Sequence, residues 1–490
     1  MMTKRSFTIT AVLLLFVAAA PAQDSESARL IQQALQPSPL QSNLAQLTDS
    51  IGGRIPGTPA MQRAYAWGTD AFKAAGADSV HREDYSIQNS WAEGATQMKV
   101  VAPEEFVARV VSLAWAPALT PHQHVPVIDI GEGTPQDFAR AQDLAGTILL
   151  VHSAEMNKWD DLFAEYFKAP GIIDHAVKAK ALAIAFQSTR PRDLLYRHIN
   201  TDFGDIDRIP QVLVAREDAS RMMRLLASGQ KLFADVSVPN NIGGPIVAEN
   251  VIAEIRGTEK PSEFVVLGAH LDSWELGTGA LDNGCNAALV IDTLRAIHDS
   301  GLHPRRSIRF VLFSGEEQGL LGSWAYVRAH RRELDNAAGV IVFDAGTGHV
   351  TGFSVGGRKE IPAAAAPMVA PLAQFGATTF TTDAQWGTDH FDFMLEGVPT
   401  FVANQDEANY LVNYHAMSDT YDKVDFDALK KHVADAAVLT FALANAPGRV
   451  GPRLSRAQVE QTLHDAQLDD PLKLFGIWQQ FEKGERGRAQ

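Results

Sequence analysis

Only one cysteine, Cys285, occurs in the 490-residue chain. With one thiol no intrachain disulfide can form, so stability must come from packing and from bound metal. Basic charge is not in excess either. The 43 Lys and Arg against 58 Asp and Glu leave a formal charge of −15, which argues against a nucleic-acid binder with a basic face. There is no long polar tract, and 46% hydrophobic with 21% charged residues argues against wholesale disorder and allows one large core and a smaller one. No stretch reaches the roughly 20 apolar residues that a membrane span needs. The apolar run AVLLLFVAAA, residues 11–20, is shorter. It follows Lys4 and Arg5 and leads into Ala20-Pro21-Ala22, so it reads as a signal peptide, residues 1–22, that exports a soluble chain to the periplasm or medium. A retained signal anchor is the competing reading.

What is present reads as alternating strands and helices. Residues 25–35 and 40–51 form two short helices. A Gly/Pro-rich loop (52–59) then precedes a helix with Met61, Ala64, Trp67 and Phe72 on one side, stopped by Gly76. Residues 79–87 and 96–101 read as strands. From about 118 to 240 the texture changes: closely spaced prolines, then strands at 146–153 and 181–186, a helix over 163–180, and a strand running into a helix. We expect an inserted domain there, between an N-terminal part (23–117) and the main unit (241–450). After 452 two amphipathic helices close the chain, free to pack on their own body or on a second copy in a homodimer.

The stretch FVVLGAHLDSWELGTGALDNGCN, residues 264–286, organises the main unit. Its Val-rich start suits a strand buried on both faces of a parallel sheet. Chemistry gathers at the carboxyl ends of such strands, and here the strand is followed by His270, Asp272 and Asp282. Three later strands end alike, in Glu316-Glu317, in Asp344 and in the loop of His415. Imidazoles and carboxylates together suit a divalent cation such as zinc. Singly, each has a plainer reading: a helix cap, a surface glutamate, a loop hydrogen bond. Jointly, every buried strand ends in an oxygen or nitrogen donor. Asp272, two residues past His270, is placed to fix the imidazole tautomer. Asp419 either does the same for His415 or caps the next turn. Cys285 reads as a small residue at a helix start.

The phrases HLDSWELGTGALDNG, SGEEQG, FDAGTG and YHAMSDT resemble the co-catalytic dizinc exopeptidase family, nearest to its carboxypeptidase Q branch. The resemblance spans roughly residues 50–115 and 245–445, and it implies an α/β fold of three α/β/α layers around a mixed, mostly parallel sheet. The inserted block resembles a protease-associated domain. Carried over, the resemblance implies two zinc ions: His270 and Asp344 on one, Glu317 and His415 on the other, Asp282 bridging them, and Glu316 as general base. It also implies a cis peptide after Asp282. The segment GTDHFDFMLEGVPTF, residues 387–401, resembles the substrate-lining segment of dizinc exopeptidases, and that resemblance makes Asp389 and His390 candidates for touching substrate, with a packed loop residue as the alternative for His390. The expected activity is hydrolysis of the N-terminal peptide bond of dipeptides or short peptides through a metal-bridging hydroxide. A single-zinc glutaminyl cyclase-type acyltransferase and a non-catalytic receptor are the alternatives.

Overall fold

The computed structural model describes residues 20–201 and 203–489; the predicted signal peptide up to residue 19 lies outside them. Eight strands make the principal sheet: β1 (Ser79–Ile87), β2 (Ile246–Ile255), β3 (Lys260–His270), β4 (Arg306–Phe313), β5 (Ala337–Val342), β6 (Val350–Ser354), β7 (Thr379–Thr381) and β8 (Thr400–Gln405). Their spatial order is β1-β2-β4-β3-β5-β8-β6-β7. The sheet is mixed, because β1, β2 and β6 pair antiparallel to their neighbours, β2 with both β1 and β4, and β6 with β8. At its centre β4, β3, β5 and β8 are consecutive and mutually parallel.

The composition of β3 accounts for the layering. Successive side chains of a strand point to opposite faces, so an all-apolar strand must be covered on both. Phe264 and Val266 enter one core with Val340 and Tyr326, while Val265, Leu267 and Ala269 enter the other. Helices Ala20–Leu35, Pro59–Ala74, Cys285–Ser300 and Phe426–Asn445 cover the second face. Leu321–Ala329 and His390–Leu395 cover the first. The helix after β3 has Leu289, Val290, Leu294 and Ile297 buried, and Gly301 ends it with φ 65°.

Between β1 and β2 the chain forms a second eight-stranded sheet with its own apolar clusters. It takes in Gln97–Ala102, Phe106–Ala108 and Val110–Ser112, so it begins about twenty residues before the change of texture at 118. Gln97–Ala102 and Ser79–Ile87 look alike as sequence. Partners distant in the chain decide that the first pairs with Leu232–Val238 and the second with β2. Among the described residues no helix is long and apolar enough to cross a membrane.

The tail forms three short helices rather than two, Arg456–Asp465, Asp469–Leu474 and Ile477–Glu482, and it packs on Leu320, Phe391 and Leu395 of its own body. Gly476, at φ 72°, makes the extra break. Arg486, fully buried, pins the end: its Nε and Nη2 donate to the two oxygens of buried Asp392 at 2.7 and 2.8 Å.

Removing one member of a buried ion pair strands the other, so Arg486→Met is expected to lower stability by about 3–5 kcal/mol in denaturant titration. Asp435, buried in helix Phe426–Asn445 with an unpartnered Oδ1, is pushed by burial up to about 8. It keeps its proton when folded and loses it on unfolding above its ordinary value of about 3.9, so its presence costs stability increasingly as pH rises between those values. Asp435→Asn is therefore expected to stabilise more at pH 8 than at pH 5, by roughly 3–4 kcal/mol; a pH-independent effect would contradict this.

Candidate metal centre

The four parallel central strands deliver their carboxyl-end residues to one edge. β3 ends in His270, β4 leads into Glu316 and Glu317, β5 into Asp344, and the segment after β8 into His415. The turn after Gly279 adds Asp282. His270 Nε2 lies 3.2 Å from Asp282 Oδ1 and 3.1 Å from Asp344 Oδ1. His415 Nε2 lies 2.9 Å from Glu317 Oε2 and 3.4 Å from Asp282 Oδ2. Asp282 thus turns one oxygen to each imidazole, and the donor atoms form two groups, His270–Asp282–Asp344 and Asp282–Glu317–His415. Glu316 belongs to neither group; its Oε2 stands 4.0 Å from His270 Nε2.

His270 Nδ1 is 3.0 Å from the Asp272 carbonyl oxygen. That oxygen only accepts, so Nδ1 carries the proton and Nε2 faces the acids. Asp272 therefore orients the ring chiefly through its backbone. Its carboxylate, 3.6 Å from Nδ1, accepts the amides of Glu316 and Glu317 at 3.3 Å each. Asp419 serves neither His415 nor the following turn. Its carboxylate accepts the amides of Ala280, Leu281 and Asp282 at 3.1, 2.7 and 3.1 Å, fixing the turn that presents Asp282. The Asp282–Asn283 peptide is cis. His390 is a packed residue at the start of helix His390–Leu395 rather than in a loop, with Nδ1 2.7 Å from Thr388 Oγ1 and Nε2 3.1 Å from the Gln385 carbonyl. Asp389 is buried with both oxygens unpartnered. Cys285 is buried within its helix and contributes to neither donor group.

The electrostatics describe a cluster short of positive charge. Burial, joined by neighbouring carboxylates, holds Glu316 and Glu317 well above the usual carboxylate range and lifts Asp344 to about 6. Burial also lifts Asp419 to about 7, against the amides it accepts, and drops His415 to about 4. Asp282 Oδ2, Glu317 Oε1 and His415 Nδ1 are buried without hydrogen-bond partners. Orphaned buried polar atoms of this kind are costly. Three carboxylates and two imidazoles, converging with lone pairs inward, match the donor set of two zinc ions sharing Asp282.

One cation does approach. Arg54, fully buried, donates from Nε to Leu271 O (2.7 Å), from Nη1 to Gly52 O (3.0 Å) and Thr278 O (2.8 Å), and from Nη2 to Gly279 O (3.0 Å). Burial lowers its pKa to about 10 although Asp419, Asp272 and Asp282 oppose this. Sequence reasoning missed Arg54, because an arginine in a Gly/Pro loop carries no sign that it is buried. It missed the rings around His415 too: Tyr414 stacks on it at 3.6 Å and Trp274 meets it edge-on at 5.9 Å.

Arg54→Met removes the donor of four loop contacts and leaves buried acceptors unpaired. It is expected to weaken zinc binding by about 10–100-fold, read by competition with a chelator; unchanged affinity would detach Arg54 from the site.

Residues 250–440 match the model of peptidase family M28. Human carboxypeptidase Q is 26% identical over 404 residues, which cover 82% of this chain and 84% of the relative. Among solved structures, a peptidase M28 precursor from Shewanella amazonensis superposes with a TM-score of 0.80 at 26% identity, covering 88% of this chain and 99% of the other. A zinc aminopeptidase from Bacillus subtilis has a TM-score of 0.66 at 19% identity, with coverages of 85% and 97%, a likeness of fold. All five inward-facing donors lie inside the stretch, residues 250–440, that is similar to peptidase family M28.

Proposed function

We propose that the chain is an exported dizinc exopeptidase that removes the N-terminal residue of dipeptides and short peptides. The carrying observation is the position of Asp282, one oxygen 3.2 Å from His270 Nε2 and the other 3.4 Å from His415 Nε2. On this reading His270 and Asp344 hold one zinc, Glu317 and His415 the other, and Asp282 both. The bound ions would acidify water and polarise the scissile carbonyl.

The remaining work falls to the chain's own residues. Glu316 sits beside the cluster without belonging to either donor group, so its carboxylate is free to take the proton of the attacking water and pass it to the leaving amine. The Asp272 carboxylate holds the amides of Glu316 and Glu317, which sets base and ligand relative to each other. Asp389, buried and unpartnered, is the candidate contact for a charged group of the substrate. We also read the second sheet as an inserted domain of the protease-associated type, and residues 1–22 as the export signal.

The test is zinc per chain together with a dipeptide panel assayed with free and with blocked N-termini. Two zincs and activity on free termini only are expected; one zinc would favour the cyclase-type reading. Glu316→Gln is expected to keep both zincs and lose about 10²–10⁴-fold in turnover. Metal loss in that variant would mean that base and ligand are misassigned.

A further inference from the structure

The two imidazoles of the centre are held in different ways. His270 is aimed by its own Nδ1–H, which donates to the Asp272 carbonyl at 3.0 Å. A metal-binding histidine usually has such a partner on its second nitrogen. His415 has none: its Nδ1 is buried and unpartnered. Its backbone is also in the left-handed region, φ 59°, which residues other than glycine rarely adopt. Something outside the imidazole must fix it.

The second sheet's segment 188–199 supplies that support. The Arg197 amide donates to the His415 carbonyl at 3.0 Å, and the Met417 amide donates to the Leu195 carbonyl at 3.0 Å. Tyr196 and Ala416 thereby form an antiparallel bridge across the two units. Arg190 Nη2 donates to the Tyr414 carbonyl at 3.3 Å, and the Tyr166 and Tyr414 hydroxyls lie 3.5 Å apart. Tyr414 in turn stacks on the His415 ring. Arg197 is itself wholly buried. It pairs with Glu93 and, at 2.8 Å, with Glu275, which lies on the loop between β3 and Asp282. Arg197 therefore ties the second unit to two loops, to that of His415 through its amide and to that of Asp282 through its guanidinium.

We propose that residues 188–199 are a clamp that completes the His415 half of the metal centre, with Arg190 and Arg197 as its positioning residues. The clamp lies outside the stretch that matches the family model, which begins at residue 250. It makes the second unit part of the metal site rather than an appendage. The proposal takes from the dizinc reading only the identity of the metal.

Two measurements test it, both on the full chain and both reading zinc rather than turnover. Hydrogen exchange of the unaltered chain, zinc-loaded against chelated, is expected to slow in residues 189–199 together with 410–420. Protection confined to 410–420 overturns the clamp. Chelator titration of Arg197→Met is expected to show one of two zincs weakened about 10–100-fold with the other retained, and Arg197→Lys to restore part of the loss. Both zincs retained at full affinity, or both lost in step from a folded chain, overturns it. If the Met variant does not fold, the exchange comparison decides alone. A chain that holds two zincs and hydrolyses no peptide would sink the proposed function and leave the clamp standing.

Discussion

Everything at the centre depends on one acid that binds no metal. Asp419 collects three consecutive amides of the turn Ala280–Asp282, and Arg54 collects the carbonyls on the other side of the same loop. Carboxylate against amides and guanidinium against carbonyls saturate the backbone from both directions without help from solvent. A turn held in this way has little freedom to move. Asp282 is consequently fixed between imidazoles that arrive from strands more than a hundred residues apart in the chain.

The sheet contributes order rather than chemistry. Its four central strands are parallel and adjacent, so their carboxyl ends lie side by side and whatever follows them must gather on one edge. That gathering concentrates acid. Glu316, Glu317 and Asp344 are all held above the ordinary carboxylate range by burial, with their neighbours adding to the effect. A fold that gathers this many buried carboxylates around so few cations has an electrostatic deficit, which divalent cations would correct.

Much of this could be read before any coordinates. A strand apolar at every position, as in Phe264–Leu267, says that helices lie on both faces, and polar residues at the ends of such strands say where the site is. The helix at 285–300 was legible from its spacing and from Gly301. Other features were not. Val350–Ser354 and Thr379–Thr381 are short and lack a distinctive pattern, so their strands went unread. The start of the second sheet was misplaced because strand pairing is set by remote partners. Asp419 and Arg54 are ordinary residues locally, and their roles exist only once loops more than 130 residues apart have met. Asp272 meets His270 Nδ1 through its backbone carbonyl, where its side chain was expected.

The order of the pieces along the chain has a consequence for biosynthesis. Arg54, Arg190 and Arg197 all precede the first metal-directed residue, His270, and the last such residue, His415, comes within the final hundred positions. During synthesis these three arginines therefore emerge before the groups they support, while Asp419 follows them. No nascent fragment that lacks the region around His415 can present both halves of the centre, so a truncated chain would leave the ribosome with its arginine braces made and no complete cage to close around metal.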